Sequence, residues 1–364
     1  MSDKILSIIV PAYNMEAYLP KCLGSLIIDN KELLQKLDVI VVNDGSKDRT
    51  SEIAHEFEVK YPNVFHVIDK ENGNYGSCIN AGLSCLEGKY VKILDADDSY
   101  DTEAFLLYMQ FISKFDAGFN SPDLIFNDFD EVDPSGNILR HVSYDFVGES
   151  TFSLAEFDYV TKPMVWAPAI AYNAEIFSQI NYHQTEGVYY SDQEWDTIPM
   201  LSVKTTAYFP KSVYKYFIGR SDQSCNEDVK VKNFAMHFPV AIKILNEYVK
   251  RRFNAPAANL TLVSNQIRSH IRFFYRVYLL ELNHLLSYSD LIEYDKALKF
   301  ADSELYSYAA SLCADGPYKM LFVSEWRKHY SRMTFRFFVY DVYRVLIKLT
   351  KKIRNLFRVI GCHE

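Results

Sequence analysis

The sequence predicts an α/β fold: a mostly parallel central sheet flanked by helices, then a C-terminal helical region. Three observations predict it. Four short apolar, β-branched runs alternate with helix-spaced apolar residues inside the first hundred positions, which is the pattern of βαβ units. Polar turns stand at the ends of those runs. After about residue 226 glycine nearly vanishes, only Gly316 and Gly361 remaining, and the apolar spacing becomes helical.

The elements follow in order. Ile5 to Val10 reads as a buried first strand ended by Pro11-Ala12-Tyr13-Asn14, and Leu19, Cys22, Leu23 and Leu26 fall at helical spacing. Leu37 to Val42 is a second strand, ended by Asn43-Asp44-Gly45-Ser46, and Ile53, Ala54 and Phe57 mark the next helix. Val64 to Ile68 is a third strand, leading through the Gly-rich turn Asn72–Gly76 into a helix marked by Ile79, Leu83 and Leu86. Tyr90 to Leu94 is the fourth strand. In open parallel sheets ligands bind outside the carboxyl ends of the strands, so these polar turns converge on one edge. A helix over Thr102–Lys114, a strand at Leu124–Phe126, a hairpin turned at Asp133–Gly136, a strand at Val165–Tyr172 and a helix at Ala174–Ile180 come next.

The fourth strand ends in Asp95-Ala96-Asp97-Asp98. Three carboxylates in four residues repel one another unless a cation or a partner sits among them. Oxygen ligands on a short turn suit Mg²⁺ or Mn²⁺, which commonly also hold substrate phosphates. The plainer reading is a solvated turn in which Asp98 or Ser99 caps a helix from Tyr100. Lys92, just before the turn, faces either the site or solvent by strand alternation.

Composition bounds the function. The 364 residues are 49% hydrophobic and 24% charged, ordinary for a globular chain of one large or two smaller domains. Six scattered cysteines and nine histidines show no metal spacing and fit a reducing compartment. Ile5–Val10 is too short for a signal segment, and no apolar run reaches the length of a transmembrane helix. The net charge of −8 is uneven, because residues 321–364 hold ten Lys/Arg against three Asp/Glu. An acidic body argues against nucleic acid as a partner. Neither G-x-G-x-x-G nor G-K-[ST] is present, which removes the dinucleotide fingerprint and the P-loop.

Four motifs in order, Ile8-Ile9-Val10-Pro11-Ala12-Tyr13-Asn14, Val41-Val42-Asn43-Asp44-Gly45-Ser46, Asn80-Ala81-Gly82 and Leu94-Asp95-Ala96-Asp97-Asp98, resemble those of the family 2 glycosyltransferases over about residues 5–225. The resemblance implies a GT-A fold, Rossmann-like, at 1–225, with a nucleotide-sugar half at about 1–100 and an acceptor half at about 101–225. Residues 226–364 are then a helical region with a basic amphipathic tail. It implies an inverting hexosyl- or N-acetylhexosaminyl-transferase using a nucleotide donor, usually a UDP-sugar, with Mn²⁺ or Mg²⁺. The acceptor is a glycan or a lipid-linked saccharide of bacterial surface type. Pro11, Ala12, Tyr13, Asn14 and Glu16 would lie along the nucleotide, with Asp44 on the uracil edge and Ser46 nearby; Asn80 belongs to the same set. Asp95-Ala96-Asp97 matches the D-x-D motif, with Asp97 on the metal and Asp95 on the ribose or the metal's waters.

Inversion needs a carboxylate base opposite the leaving group. The family's Glu-Asp pair matches Ser191-Asp192 here, so Asp192 is the expected base. Ser replaces the usual Glu, which keeps Glu194 as an alternative. Trp166 and Trp195 are candidates for an apolar face under the acceptor or for core packing. Arg220 is a candidate for diphosphate or acceptor binding, or for a surface ion pair. A nucleotidyltransferase-like enzyme and a catalytically silent nucleotide-sugar-binding scaffold are the competing functions.

In the tail, Phe338, Val342, Val345, Leu346, Leu349, Ile353, Leu356 and Ile360 share one helical stripe, with Arg344, Lys348, Lys351 and Arg358 largely opposite. This predicts either peripheral contact with the cytoplasmic membrane face or packing on the preceding helices. The expected location is cytoplasmic. The sequence does not specify an oligomeric state.

Overall fold

The computed structural model describes residues 3–115, 121–144, 164–220, 233–281, 288–314, 319–332 and 335–360. The chain divides into two compact units, Met1–Gln266 and Ile267–Glu364.

Among the described residues the first unit is built on a nine-stranded sheet. Strands β1 (Leu6–Ala12), β2 (Leu37–Asn43), β3 (Phe65–Asp69) and β4 (Tyr90–Ile93) pair in parallel in the order β3-β2-β1-β4. Helices α1 (Leu19–Gly24), α2 (Lys31–Gln35), α3 (Thr50–Lys60) and α4 (Asn74–Leu83) connect them. Every residue of β2 and β4 is buried, which explains why these strands read as continuous apolar runs rather than alternating ones. Leu6 pairs with both Leu37 and Tyr90, so the three strands start in step, run the same way and open their turns on one edge.

The sheet then mixes direction. β8 (Ile170–Asn173) is antiparallel to β4 and to β6 (Leu124–Val132), and β9 (Thr206–Phe217) runs parallel to β6. β5 (Ser99–Tyr100) closes one end on β9, and β7 (Ile138–Val142) forms the expected hairpin with β6. The β6–β9 register slips between Asn127 and Asp128, where β9 carries Pro210 and Lys211 as extra residues. Proline has no N–H for the ladder, so the bulge falls where the sequence cannot pair.

Three expectations are corrected. The strand expected over Val165–Tyr172 begins only at Ile170, because Pro168 sits in a 3₁₀ turn, Ala167–Ala169. Asp101, not Asp98 or Ser99, caps α5 (Thr102–Ser113), its side chain accepting from the Ala104 N–H. Lys92 is fully buried, with Nζ donating to Asn127 Oδ1 at 2.7 Å and to the Pro168 and Ile170 carbonyls at 3.2 Å each.

α6 (Glu175–Gln179), α7 (Asp192–Thr197), α8 (His237–Arg251) and the start of α9 (Ala257–Arg276) complete this unit. α8 buries Val240, Ala241, Ile244, Leu245 and Tyr248 on one face. The second unit is helical and includes α10 (Ser289–Ala301), α11 (Ser303–Ala310), α12 (Phe322–Arg327) and α13 (Phe335–Ile360). Its core centres on Asp295, ion-paired with Arg327 at 2.7 Å and bonded by the Tyr275 hydroxyl. Arg327 in turn stacks 3.5 Å from the centre of the Tyr306 ring. Among the described residues no helix is long and apolar enough to cross a membrane.

Candidate active site

The turns after β1 and β2 interlock. Asn14, at a φ of 55°, donates its N–H to Ser46 Oγ at 3.0 Å and accepts from the Lys47 N–H at 2.8 Å. The Met15 and Glu16 N–H groups bond Thr50 and Asp48, and the Glu16 carboxylate receives the Arg49 N–H. Half-exposed Tyr13 stands above this frame. Pro11 and Ala12 continue β1, and Ala12 receives the Asp44 N–H at 2.9 Å.

Asp44 is buried and shares one oxygen between Lys70 Nζ at 2.7 Å and the Gly73 N–H at 2.9 Å. Asn72 Nδ2 bonds its carbonyl at 3.0 Å. Gly45 has a φ of 72°, and a Cβ there would meet the Asn72 nitrogen at 3.1 Å, so the turn requires glycine. An open cavity of about 650 Å³ lies here, lined by Tyr13, Asn43, Gly45, Lys47, Asp69, Lys70, Glu71 and Asn72. Of the residues expected along the nucleotide, Tyr13 lines this hollow, and Asp44 and Ser46 belong to the turn whose Asn43, Gly45 and Lys47 also line it.

The acidic turn separates into distinct roles. Asp98 is tied down: it accepts from the Tyr214 hydroxyl and the Phe217 N–H, each at 2.6 Å. Asp97 faces Arg220, with Nη1 at 3.3 Å from Oδ2, and the same guanidinium lies 5.7 Å from the centre of the Tyr18 ring. Asp95 accepts from the Tyr75 hydroxyl at 3.1 Å. Burial first, then the charges of Asp97 and Asp192, push the Asp95 carboxyl up to about 7, against the pull of Tyr75 and Arg220. Ala96 is buried between them. Among the described residues no group of three His, Cys, Asp or Glu side chains forms a metal cage. The two carboxylates are hard oxygen donors of the kind Mg²⁺ or Mn²⁺ takes, and in the structure the Arg220 cation occupies the Oδ2 side of Asp97. Ser221 to Ser224, next in this loop, lie outside the described residues.

On the far side, Asp192 opens α7 and is exposed. Its carboxyl stands above its ordinary range because the surrounding protein displaces water, and Glu194 adds to the effect. Its charge is felt at both Asp95 and Tyr75. Glu194 is placed differently: fully buried, it pairs with Lys243 Nζ at 2.7 Å and accepts from the Thr185 N–H at 3.0 Å. Trp195 is also fully buried, stacked 4.7 Å from Phe177 and edge-on to Tyr172 and Tyr182. Trp195 is thus brought into the core beneath α7, whereas Trp166 is 44% exposed.

Asn80 clamps the strand-like segment that leads to α7. Its Nδ2 donates to the Gln184 carbonyl at 2.9 Å and to Glu186 at 2.8 Å, and its Oδ1 accepts from the Gln184 N–H at 2.7 Å. Four residues went unnoticed in the sequence: Lys70, Tyr75, Lys243 and Asp196. Tyr75 sits inside the Gly-rich turn, an aromatic among small residues that was a readable signal. Asp196, one turn after Asp192, is buried with Oδ1 lacking a partner among the described residues, and burial together with Asp192 holds its carboxyl well above the usual range.

This sheet, with a polar hollow at the ends of its first strands, has the architecture of a GT-A fold. Residues 7–180 match the model of Glycosyl transferase family 2. It is similar to the glycosyltransferase GlyA of Streptococcus pneumoniae, 28% identical over 232 residues that cover 62% of this chain and 32% of GlyA. It is also similar to the minor teichoic acid biosynthesis protein GgaB of Bacillus subtilis, 36% identical over 33% of this chain and 13% of GgaB. The matched region thus spans a third or less of these two relatives. The fold resembles the crystal structure of S. aureus TarS 1-349, with a TM-score of 0.59, 18% identity and 84% of each chain covered.

Proposed function

We propose that the chain is a metal-dependent, inverting glycosyltransferase that moves a sugar from a UDP-sugar to a hydroxyl of a glycan or lipid-linked acceptor. The observation that carries this reading is the pairing of two stations. Asp95 and Asp97 stand at the strand end beside the nucleotide hollow, and Asp192 lies close enough to raise the Asp95 carboxyl. TarS has been crystallised with UDP-GlcNAc, which supports a uridine donor. GgaB, a teichoic acid biosynthesis protein, supports a cell-envelope acceptor.

In this reading the nucleoside occupies the hollow between Tyr13 and Asn72, next to the turn in which Lys70 and Gly73 hold Asp44. Asp97 and Asp95 would hold Mn²⁺ or Mg²⁺. When bound, the cation supplies positive charge to the two phosphates of the departing diphosphate. Arg220, already against Asp97, adds a second positive charge to the same region. Asp192 accepts the acceptor's hydroxyl proton as that oxygen bonds the anomeric carbon and the bond to the diphosphate breaks. Lys243 engages Glu194, leaving Asp192 as the open carboxylate.

Release of UDP from a panel of UDP-sugars, with and without Mn²⁺, tests the reading. Mn²⁺-dependent release from one or a few donors is expected. Asp97→Ala is expected to lose both activity and Mn²⁺-dependent UDP binding. Release that ignores Mn²⁺, or UDP affinity in Asp97→Ala equal to wild type, would place the metal elsewhere.

A further inference from the structure

Helix α13 carries an apolar stripe that is exposed among the described residues. Phe338 is 64% exposed, Val342 45%, Val345 56%, Leu346 56% and Leu349 50%. At about 100° per residue these five fall within an arc of about 100°, one face of the helix. Elsewhere in the described residues, large exposed hydrophobics occur singly or in pairs, which is ordinary for a protein surface. Five on one face of one helix are not. The helix start is nonetheless anchored: Phe337 is fully buried under the Arg332 guanidinium, and Arg332 pairs with Asp341 at 2.8 Å. The stripe is therefore presented by a helix fixed at its first two turns.

Charge says what covers it. Residues 335–360 contain seven Lys/Arg and one Asp, in a chain whose net charge is −8. In the sequence the apolar spacing continues through Ile353, Leu356 and Ile360, with Lys348, Lys351, Lys352, Arg354 and Arg358 between. A protein groove would have to supply a carboxylate for each of these cations. A continuous anionic surface neutralises all of them at once while the apolar edge enters its hydrocarbon boundary. With 26 residues the helix is about 39 Å long. It is not apolar enough to span, so it lies in the plane of the surface.

We propose that α13 docks the protein on an anionic lipid bilayer through the Phe338–Val342–Val345–Leu346–Leu349 face, with its basic residues at the headgroups. Pelleting and helicity, which decide it, do not depend on which donor or base the first unit uses.

The test is co-sedimentation of the full chain with vesicles of phosphatidylcholine alone or mixed with phosphatidylglycerol. Binding is expected only to the anionic vesicles, falling at least about tenfold when salt rises from about 0.1 M to about 0.5 M. Leu346→Glu with Leu349→Glu keeps good helix formers and is expected to abolish pelleting while helicity and UDP release stay at wild-type level. Lys351→Gln with Lys352→Gln is expected to weaken it. No pelleting, equal pelleting on neutral vesicles, or full binding by the Leu346/Leu349 variant would overturn the proposal. So would concentration-dependent self-association, without vesicles, that the Leu346/Leu349 variant abolishes, because the face would then meet a second copy of the chain.

Discussion

Asp192 and Glu194 stand two residues apart and end in opposite surroundings. Glu194 is buried against Lys243, and Asp192 is exposed beside the acidic turn. Sequence reasoning reaches the pair but not the difference, because Lys243 lies 49 positions away on α8 and nothing local announces it. Lys92 is a second case. Strand alternation permits either direction, and the structure buries it on Asn127 and the 3₁₀ turn at Pro168. Burial pushes the Lys92 ammonium down to about 7. In the unfolded chain it keeps its ordinary range near 10. The folded form therefore binds fewer protons between about pH 7 and 10, and stability from this group falls as pH drops through that window. Urea unfolding across it is expected to show the decline in wild type, and to lose that share of it in Lys92→Met. Lys92→Met also strands the Asn127 and Pro168 acceptors, costing about 1–3 kcal/mol. A variant as stable as wild type at every pH would show that Lys92 contributes nothing there.

At the scale of elements, the βαβ half was legible because β1, β2 and β4 are buried on both faces and need no partner pattern to be recognised. β1 to β4 fall within a residue or two of the runs that announce them. The second half was less legible. β8 and β9 are set by a proline in a 3₁₀ turn and a proline bulge, and the pairing of β9 with β6 crosses more than eighty positions. The link between α4 and the segment before α7 was invisible in the sequence, although it positions Asp192. Asn80 clamps Gln184, and Gly76 lets the Thr185 carbonyl approach so closely that a Cβ would stand 2.0 Å from it. Gly76→Ala must therefore push the segment away from α4. The expected cost is about 1–3 kcal/mol in urea unfolding, together with slower turnover at unchanged UDP affinity. Wild-type turnover in a folded Gly76→Ala protein would detach this contact from catalysis.

The whole molecule divides its labour by charge and texture. The first unit holds the sheet, the hollow and every candidate site residue, and the second holds helices and the basic α13. The polar turns foretold where the hollow would lie, since strand ends in one register must open together. The amphipathic tail was equally plain in the sequence; only the structure shows its described apolar positions exposed rather than packed. The central claim is that the first unit transfers sugar with Asp192 as base. Its most direct test compares wild type, Asp192→Asn and Glu194→Gln for UDP affinity and for turnover of the donor that the panel selects. The account predicts that Asp192→Asn binds UDP as wild type does and turns over about 10²–10⁴-fold more slowly. Normal turnover by Asp192→Asn, with turnover lost in a folded Glu194→Gln, would contradict it.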